Sequence, residues 1–321
     1  MALENSIAAL AAIKANLKAV LTGKLGTSPG DHFADYAGIV AAHWPDSIVN
    51  DHDTTQFLVH LNGTEITLHF SQTDADSVHV DWGDGEEEDV AAAGEHSVTH
   101  EYAVTGNYKI SMTVSAGTVT LMSNAVKEAN YLDTVQAVYF GNRVVPGDQC
   151  FTSKGSITEI WFSQYNINIG LQAFYACSIA RFVGVTSLNG TMAESAFDKC
   201  KLLDAVKIGS GEIGDNAFHD CLSLVTVNVQ NGVTKLLSRA FAGCMSLTQI
   251  DLPDTVTHIN SYAFENCYSL ATLKVRATTP PAIYANAFPP NLTSIKVPSA
   301  AVADYKAASN WSAYESIITA L

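Results

Sequence analysis

"SYAFENCYSL", residues 261–270, follows "SRAFAGCMSL", residues 238–247, at a distance of 23 positions. The two stretches share a frame of alanine, phenylalanine, cysteine, serine and leucine. Phenylalanine recurs at Phe151, Phe174, Phe197, Phe218, Phe241, Phe264 and Phe288, at spacings of 23, 23, 21, 23, 23 and 24. Alanine precedes six of them, and Cys150 precedes the first. Cysteine follows three residues later at Cys177, Cys200, Cys221, Cys244 and Cys267. Then comes an alternating apolar triplet, such as Leu224, Val227 and Val229, or Leu247, Ile250 and Leu252, or Leu270, Leu273 and Val275. Alternation of this kind predicts one short strand per unit. A unit of about 23 residues cannot bury its apolar face alone, whereas stacked units share one continuous core. Phe and Cys are then inward rungs, and strands about 4.8 Å apart predict a rod roughly 34 Å long.

These residues resemble the BspA-like leucine-rich repeats of bacterial surface and phage-encoded proteins, from about residue 146 to the end. "TSIKVPSAAVADYKAASNWSAYESI", residues 293–317, resembles that family's closing segment, with Val297, Pro298, Tyr305, Lys306 and Trp311 in the usual pattern. The last repeat departs from the frame, as a terminal coil that must cap a core does. The resemblance implies binding and no chemistry.

Residues 54–115 alternate with period two and are broken by glycine and aspartate, the pattern of a small antiparallel sandwich. "VDWGDGEEED" (80–89) and "HEYAVTGNYKISMTV" (100–114) resemble the polycystic-kidney-disease (PKD) type of immunoglobulin-like domain. That resemblance implies a core Trp82 and a tight turn at Gly83, Asp84 and Gly85. It assigns His100, Tyr102, Gly106 and Tyr108 to the family's second signature.

Leu3, Ile7, Leu10, Leu17 and Leu21, with Lys14 at the remaining seam position, have near-heptad spacing and predict a helix. A Gly/Ser/Pro break and a second short helix follow. This segment resembles the leading segments of tailed-phage virion proteins from gut bacteria. Glu4, Lys14 and Lys18 are out of place in a secretory leader. Either a virus particle carries the protein or a leader precedes the sequence given.

The expected architecture is therefore multidomain and mainly β. A helical attachment segment (1–47) precedes a PKD-like β-sandwich (48–117), a linker with the first solenoid coil (118–145), and a BspA-like solenoid with a helical cap (146–321). The net charge of −15 is concentrated in residues 48–117, whose one basic and thirteen acidic side chains leave −12. Such a surface repels phosphate backbones and excludes nucleic acid as its partner. No run approaches the ~18 apolar residues of a membrane-spanning helix.

"GSGEIG" (209–214) matches a dinucleotide fingerprint, but it runs into the Ala-Phe slot of the next coil rather than opening a helix. Asp81, Asp84, Glu86 and Asp89 are candidate calcium ligands; the alternative is a solvated turn. One cysteine per coil suits neither a zinc site nor complete disulfide pairing, so the ladder reads as buried free thiols. The ten histidines form no H-E-x-x-H, and no hydrolase or Walker motif is present. No enzymatic activity and no cofactor are expected.

The residues that remain for binding form the outward row of the strands: Trp161, Gly184, Lys207, Asn228, Asp251 and Lys274. Two positions earlier run Glu159, Phe182, Ala205, Thr226, Gln249 and Thr272. Exposed sheet faces are where repeat proteins bind, and Trp161 and Phe182 are candidate aromatic anchors. The expectation is a recognition protein for host-surface protein or glycan. It is read first as a phage virion component attached and oligomerised through residues 1–47, and alternatively as a bacterial cell-surface adhesin. A carbohydrate-active enzyme comes third.

Overall fold

The computed structural model describes residues 54–73, 78–91, 93–128, 135–162, 168–183 and 188–321. The chain divides into compact units at 1–50 and 51–321, and the described residues all belong to the second. The helices expected within residues 1–47, and Gly184, lie outside the described residues.

Seven strands come first: β1 (Thr54–Leu61), β2 (Glu65–Gln72), β3 (Val78–Asp81), β4 (Glu87–Val90), β5 (Gly94–Glu101), β6 (Gly106–Val114) and β7 (Val119–Glu128). Alternate residues such as Ile66, Leu68 and Phe70 on β2, or Ile110, Met112 and Val114 on β6, are buried in one apolar cluster. Trp82 lies in that cluster, and Tyr102 donates its hydroxyl hydrogen to the Trp82 carbonyl at 2.8 Å.

β8 (Val135–Phe140) and β9 (Val144–Pro146) carry both layers onward into parallel coils. β8 runs antiparallel to β1 and parallel to β10 (Glu159–Phe162), which pairs with β11 (Arg181–Val183). The result is a seven-stranded sheet ordered β11-β10-β8-β1-β6-β3-β4. In the other layer β9 adds in parallel to β7, giving β5-β2-β7-β9. The segment read as linker and first coil, 118–145, thus contains β7, β8 and most of β9. Shared backbone ladders in both layers join the antiparallel and parallel regions.

Beyond this seam, β12 (Ala205–Ile208), β14 (Thr226–Val229), β16 (Gln249–Leu252), β18 (Thr272–Val275), β20 (Ser294–Val297) and β21 (Ile318–Ala320) form a six-stranded parallel sheet. The intervening β13 (Gly211–Ile213), β15 (Val233–Leu236), β17 (His258–Ile259) and β19 (Ala282–Ile283) form a four-stranded one. "GSGEIG" falls across β13 and its entry, and a Cβ at Gly214 would lie 2.3 Å from the Met192 carbonyl oxygen. These glycines permit coil-to-coil contact.

The third side of each coil is the Ala-Phe turn. The Phe N–H donates to the Ala carbonyl of the next coil, as in Phe174 to Ala196 (2.9 Å) and Phe218 to Ala240 (2.8 Å). The rings stack in file, their centroids 5.3 Å apart for Phe174 and Phe197 and 6.1 Å for Phe264 and Phe288. These ring spacings exceed the about 4.8 Å of paired strands while the Phe N–H to Ala carbonyl bonds stay at 2.8–2.9 Å, so the extra separation lies in the rings and not in the backbone. The thiols of Cys177, Cys200, Cys221, Cys244 and Cys267 donate to the carbonyls of Phe151, Phe174, Phe197, Phe218 and Phe241 at 3.0–3.2 Å. All six cysteines are free and buried. Burial pushes the thiols of Cys150, Cys200 and Cys244 well above their ordinary range.

At the carboxyl end, helix α1 (Val302–Ala307) and a 3-10 segment (Trp311–Ile317) lie against the last coils. Tyr305 donates its hydroxyl hydrogen to the Ala277 carbonyl, Trp311 Nε1 donates to the Pro281 carbonyl, and both rings are buried.

Candidate binding face

The outward face of the six-stranded sheet is built by strict register. Lys207 pairs with Asn228, Asn228 with Asp251, Asp251 with Lys274, Lys274 with Lys296, and Lys296 with Thr319. Beside this row run Ala205 and Thr226, then Gln249, Thr272 and Ser294. Both rows are exposed or half-exposed, while the residues between them, such as Val227, Ile250 and Leu273, are buried. The surface is therefore flat, polar and ruled at the strand spacing.

Its charge is uneven. Asp251 accepts two hydrogen bonds from Arg276, at 2.8 and 2.7 Å, a forked pair that raises the guanidinium pKa. With that carboxylate engaged, Lys274 and Lys296 face each other across neighbouring strands. Among the described residues no carboxylate lies within 4.0 Å of Lys207, Lys274 or Lys296. Where each coil turns into this sheet, exposed apolar side chains accumulate: Leu202, Val225, Met245 and Tyr268. Sequence counting missed these and Lys296, although continuing the lysine row one coil past Lys274 reaches Lys296. The Asp251–Arg276 pair, 25 residues apart, left no local signal.

The two aromatic anchors are corrected. Trp161 is 6% exposed, in register with Tyr139 on β8. Here β10 is internal to the sheet shared with β1, and the outward residues Leu58 (1%) and Ala137 (5%) are buried as well. Phe182 pairs with Ile160, an inward position, rather than with Glu159. A one-residue shift in register moves a side chain to the other face. The Phe182 ring therefore packs on the core, 6.2 Å from Phe162 and 5.1 Å from Phe197.

The four candidate calcium ligands do not converge. Asp81 accepts from the Gly83 N–H, Asp89 pairs with His79 at 2.9 Å, and Asp84 accepts from the Glu86 N–H and pairs with His100 at 2.8 Å. Among the described residues no group of three such side chains could hold a metal ion. Burial pushes the Asp84 carboxyl up, but its hydrogen bonds with His100 and the Glu86 N–H, with the His100 charge, outweigh this and hold it low. His100 stacks on Trp82 at 4.8 Å and meets Tyr102 edge-on at 4.5 Å, so the motif residues form one folded network.

The BspA type leucine-rich repeat region matches in six copies, over residues 144–213 and 211–312, more than half of the chain. The chain belongs to the BspA-type leucine-rich repeat family. The match begins at β9 and includes every strand of the candidate face except β21. No curated protein matches the chain. Among solved structures, a leucine-rich repeat protein from Bacteroides ovatus is similar, with 22% identity over 58% of this chain and 54% of that one and a TM-score of 0.39. A leucine rich cell surface protein from Faecalibacterium prausnitzii is similar with 17% identity over 59% of this chain and 86% of that one, at a TM-score of 0.31. The chain spans about half the length of the first.

Proposed function

We propose that this BspA-type repeat protein is a non-enzymatic binding module displayed on a bacterial cell surface, and that its ligand is a host-surface protein or glycan. The observation that carries this reading is the outward face of β12, β14, β16, β18 and β20. Its polar rows are held in register by the buried rungs beneath, yet they are spare to the core. A flat face presenting one chosen side chain per strand suits extended ligands, as in other solenoids. On the same reading the antiparallel strands β1–β7 are a PKD-type immunoglobulin-like spacer, and α1 with Trp311 closes the solenoid as a cap. The virion reading drew on residues 1–47, which lie outside both the described residues and the family match. Family membership supports the surface reading.

The test is a panel of purified host glycans and extracellular proteins, screened with the full chain and with a Lys207→Ala, Asn228→Ala, Lys274→Ala variant. A ligand held by the wild type and lost from the variant is the expected result. A ligand held equally by both moves the site elsewhere, and ligand turnover by the wild type overturns the non-enzymatic reading.

A further inference from the structure

Two surfaces of this chain carry like charges in register on neighbouring strands. On the solenoid these are Lys274 and Lys296. At one end of the antiparallel strands they are Glu65 on β2 and Glu101 on β5, both exposed. Like charges directly opposite one another destabilise a sheet, so each surface is held at a cost that its own fold does not relieve. Among the described residues no counter-ion lies within 4.0 Å of any of the four.

The acidic end is larger than that pair. The Tyr102 N–H donates to the Thr64 carbonyl, and His100 pairs with Asp84, which brings Glu65, Glu101 and Glu86, in the turn between β3 and β4, to the same end. Val104, two residues beyond Tyr102 in the β5–β6 connection, adds an apolar side chain that is 64% exposed. On the sheet that carries the lysines, the turns leading into β16 and β18 hold the exposed apolar side chains Met245 and Tyr268. Aliphatic side chains gain by contact with other apolar side chains, which favours a protein over a hydroxyl-rich glycan at these turns.

We propose that the acidic, Val104-bearing end of one copy docks on the Lys274/Lys296 face of another, giving a head-to-tail contact between copies of this chain. The two patches differ, so the contact is heterologous and propagates into chains unless its rotation closes a ring. It rests on the proposed function only in taking that face as a binding surface. Self-association occupies the face and competes with any other ligand there.

The test uses full-length protein and light scattering. Wild type should grow in mass with concentration at low salt and shrink at high salt, as screening shortens the reach of the charges. Lys274→Glu with Lys296→Glu should weaken association roughly tenfold or more, and so should Glu65→Lys with Glu101→Lys. Mixing the two double variants should restore it, because each then supplies the charge that the other lacks. Association through residues 1–50 would survive both double variants, and that result overturns the proposal. A mass independent of concentration and salt, or no recovery on mixing, overturns it too. Failure to find a ligand on the panel leaves the mixing result unaffected, so the two readings fail separately.

Discussion

The N–H of Phe218 donates to the carbonyl of Ala240 at 2.8 Å, and the Phe218 ring stacks on Phe241 at 5.4 Å with 5° between planes. One residue thus joins successive coils by backbone and by side chain. Alanine precedes the ring at nearly every rung because a larger side chain would hold the two turns apart. Phe218→Ala removes a fully buried ring from mid-stack and should cost about 3–5 kcal/mol, as large-to-small aromatic changes in cores do. Urea unfolding followed by circular dichroism measures this. A loss under about 1 kcal/mol would mean that the ring file is not what holds the coils together.

The thiol ladder should be chemically silent. Cys221 is fully buried and donates to the Phe197 carbonyl at 3.2 Å, and burial raises its pKa, so little thiolate forms near neutrality. A thiol reagent should label none of the six cysteines in the native protein and all six in denaturant. Cys221→Ala removes a buried sulfur and the thiol hydrogen bond to the Phe197 carbonyl, which keeps the Cys200 N–H at 3.2 Å, a change expected to cost about 1–3 kcal/mol. Rapid native labelling at any rung would show that the coils open locally.

The rung pattern was legible because burial demands it: Phe197, Cys200, Leu203, Val206 and Ile208 all lie inward, as the period-23 frame requires. The same counting failed at Phe182, where the strand sits one residue out of the assumed frame and a core ring was read as a surface one. It failed at Trp161 because the outward face of the sheet shared with β1 is covered there, at Leu58, Ala137 and Trp161 alike, and strand alternation does not tell a covered face from an open one. Counting also could not see the turn conformation. The residue two before each ladder Phe, from Gln149 and Gln172 to Tyr262 and Asn286, has φ between 51° and 63°. So does the residue two after at Ser153, Ala176, Lys199, Asp220 and Asn266. Only Gly243 marks such a position with glycine, so the left-handed kinks on either side of the Ala-Phe corner left little trace in composition.

Those kinks give a paired prediction. At Gly243, φ is 74° and a Cβ would lie 2.2 Å from Asp220 Oδ1, so Gly243→Ala adds both strain and a clash. It should destabilise by about 1–3 kcal/mol. Ala176 occupies the equivalent corner with φ 55°. Ala176→Gly relieves about 1–2 kcal/mol of left-handed strain against about 0.5–1 kcal/mol of added chain entropy, and should be neutral to mildly stabilising. Thermal unfolding of the two variants should move Tm in opposite directions or leave the second unchanged. Equal losses would mean that the corners are not equivalent.

The His219–Asp198 pair makes stability depend on pH in a predictable direction. His219 Nδ1 lies 2.8 Å from Asp198 Oδ1, and Nε2 lies 3.7 Å from Asp220. The hydrogen bond to Asp198 is the main cause that raises the imidazole pKa, opposed by partial burial. A histidine whose folded pKa lies above its unfolded value stabilises the fold fully below about pH 6.5, and loses that contribution as pH rises through the folded pKa. The wild type should therefore lose stability through this group as pH rises above about 6.5. His219→Gln keeps the side chain polar without the titration, and should flatten that part of the profile. Urea midpoints at half-unit pH steps give the comparison. If the difference between variant and wild type stays constant across that range, the Asp198 contact is not coupled to folding.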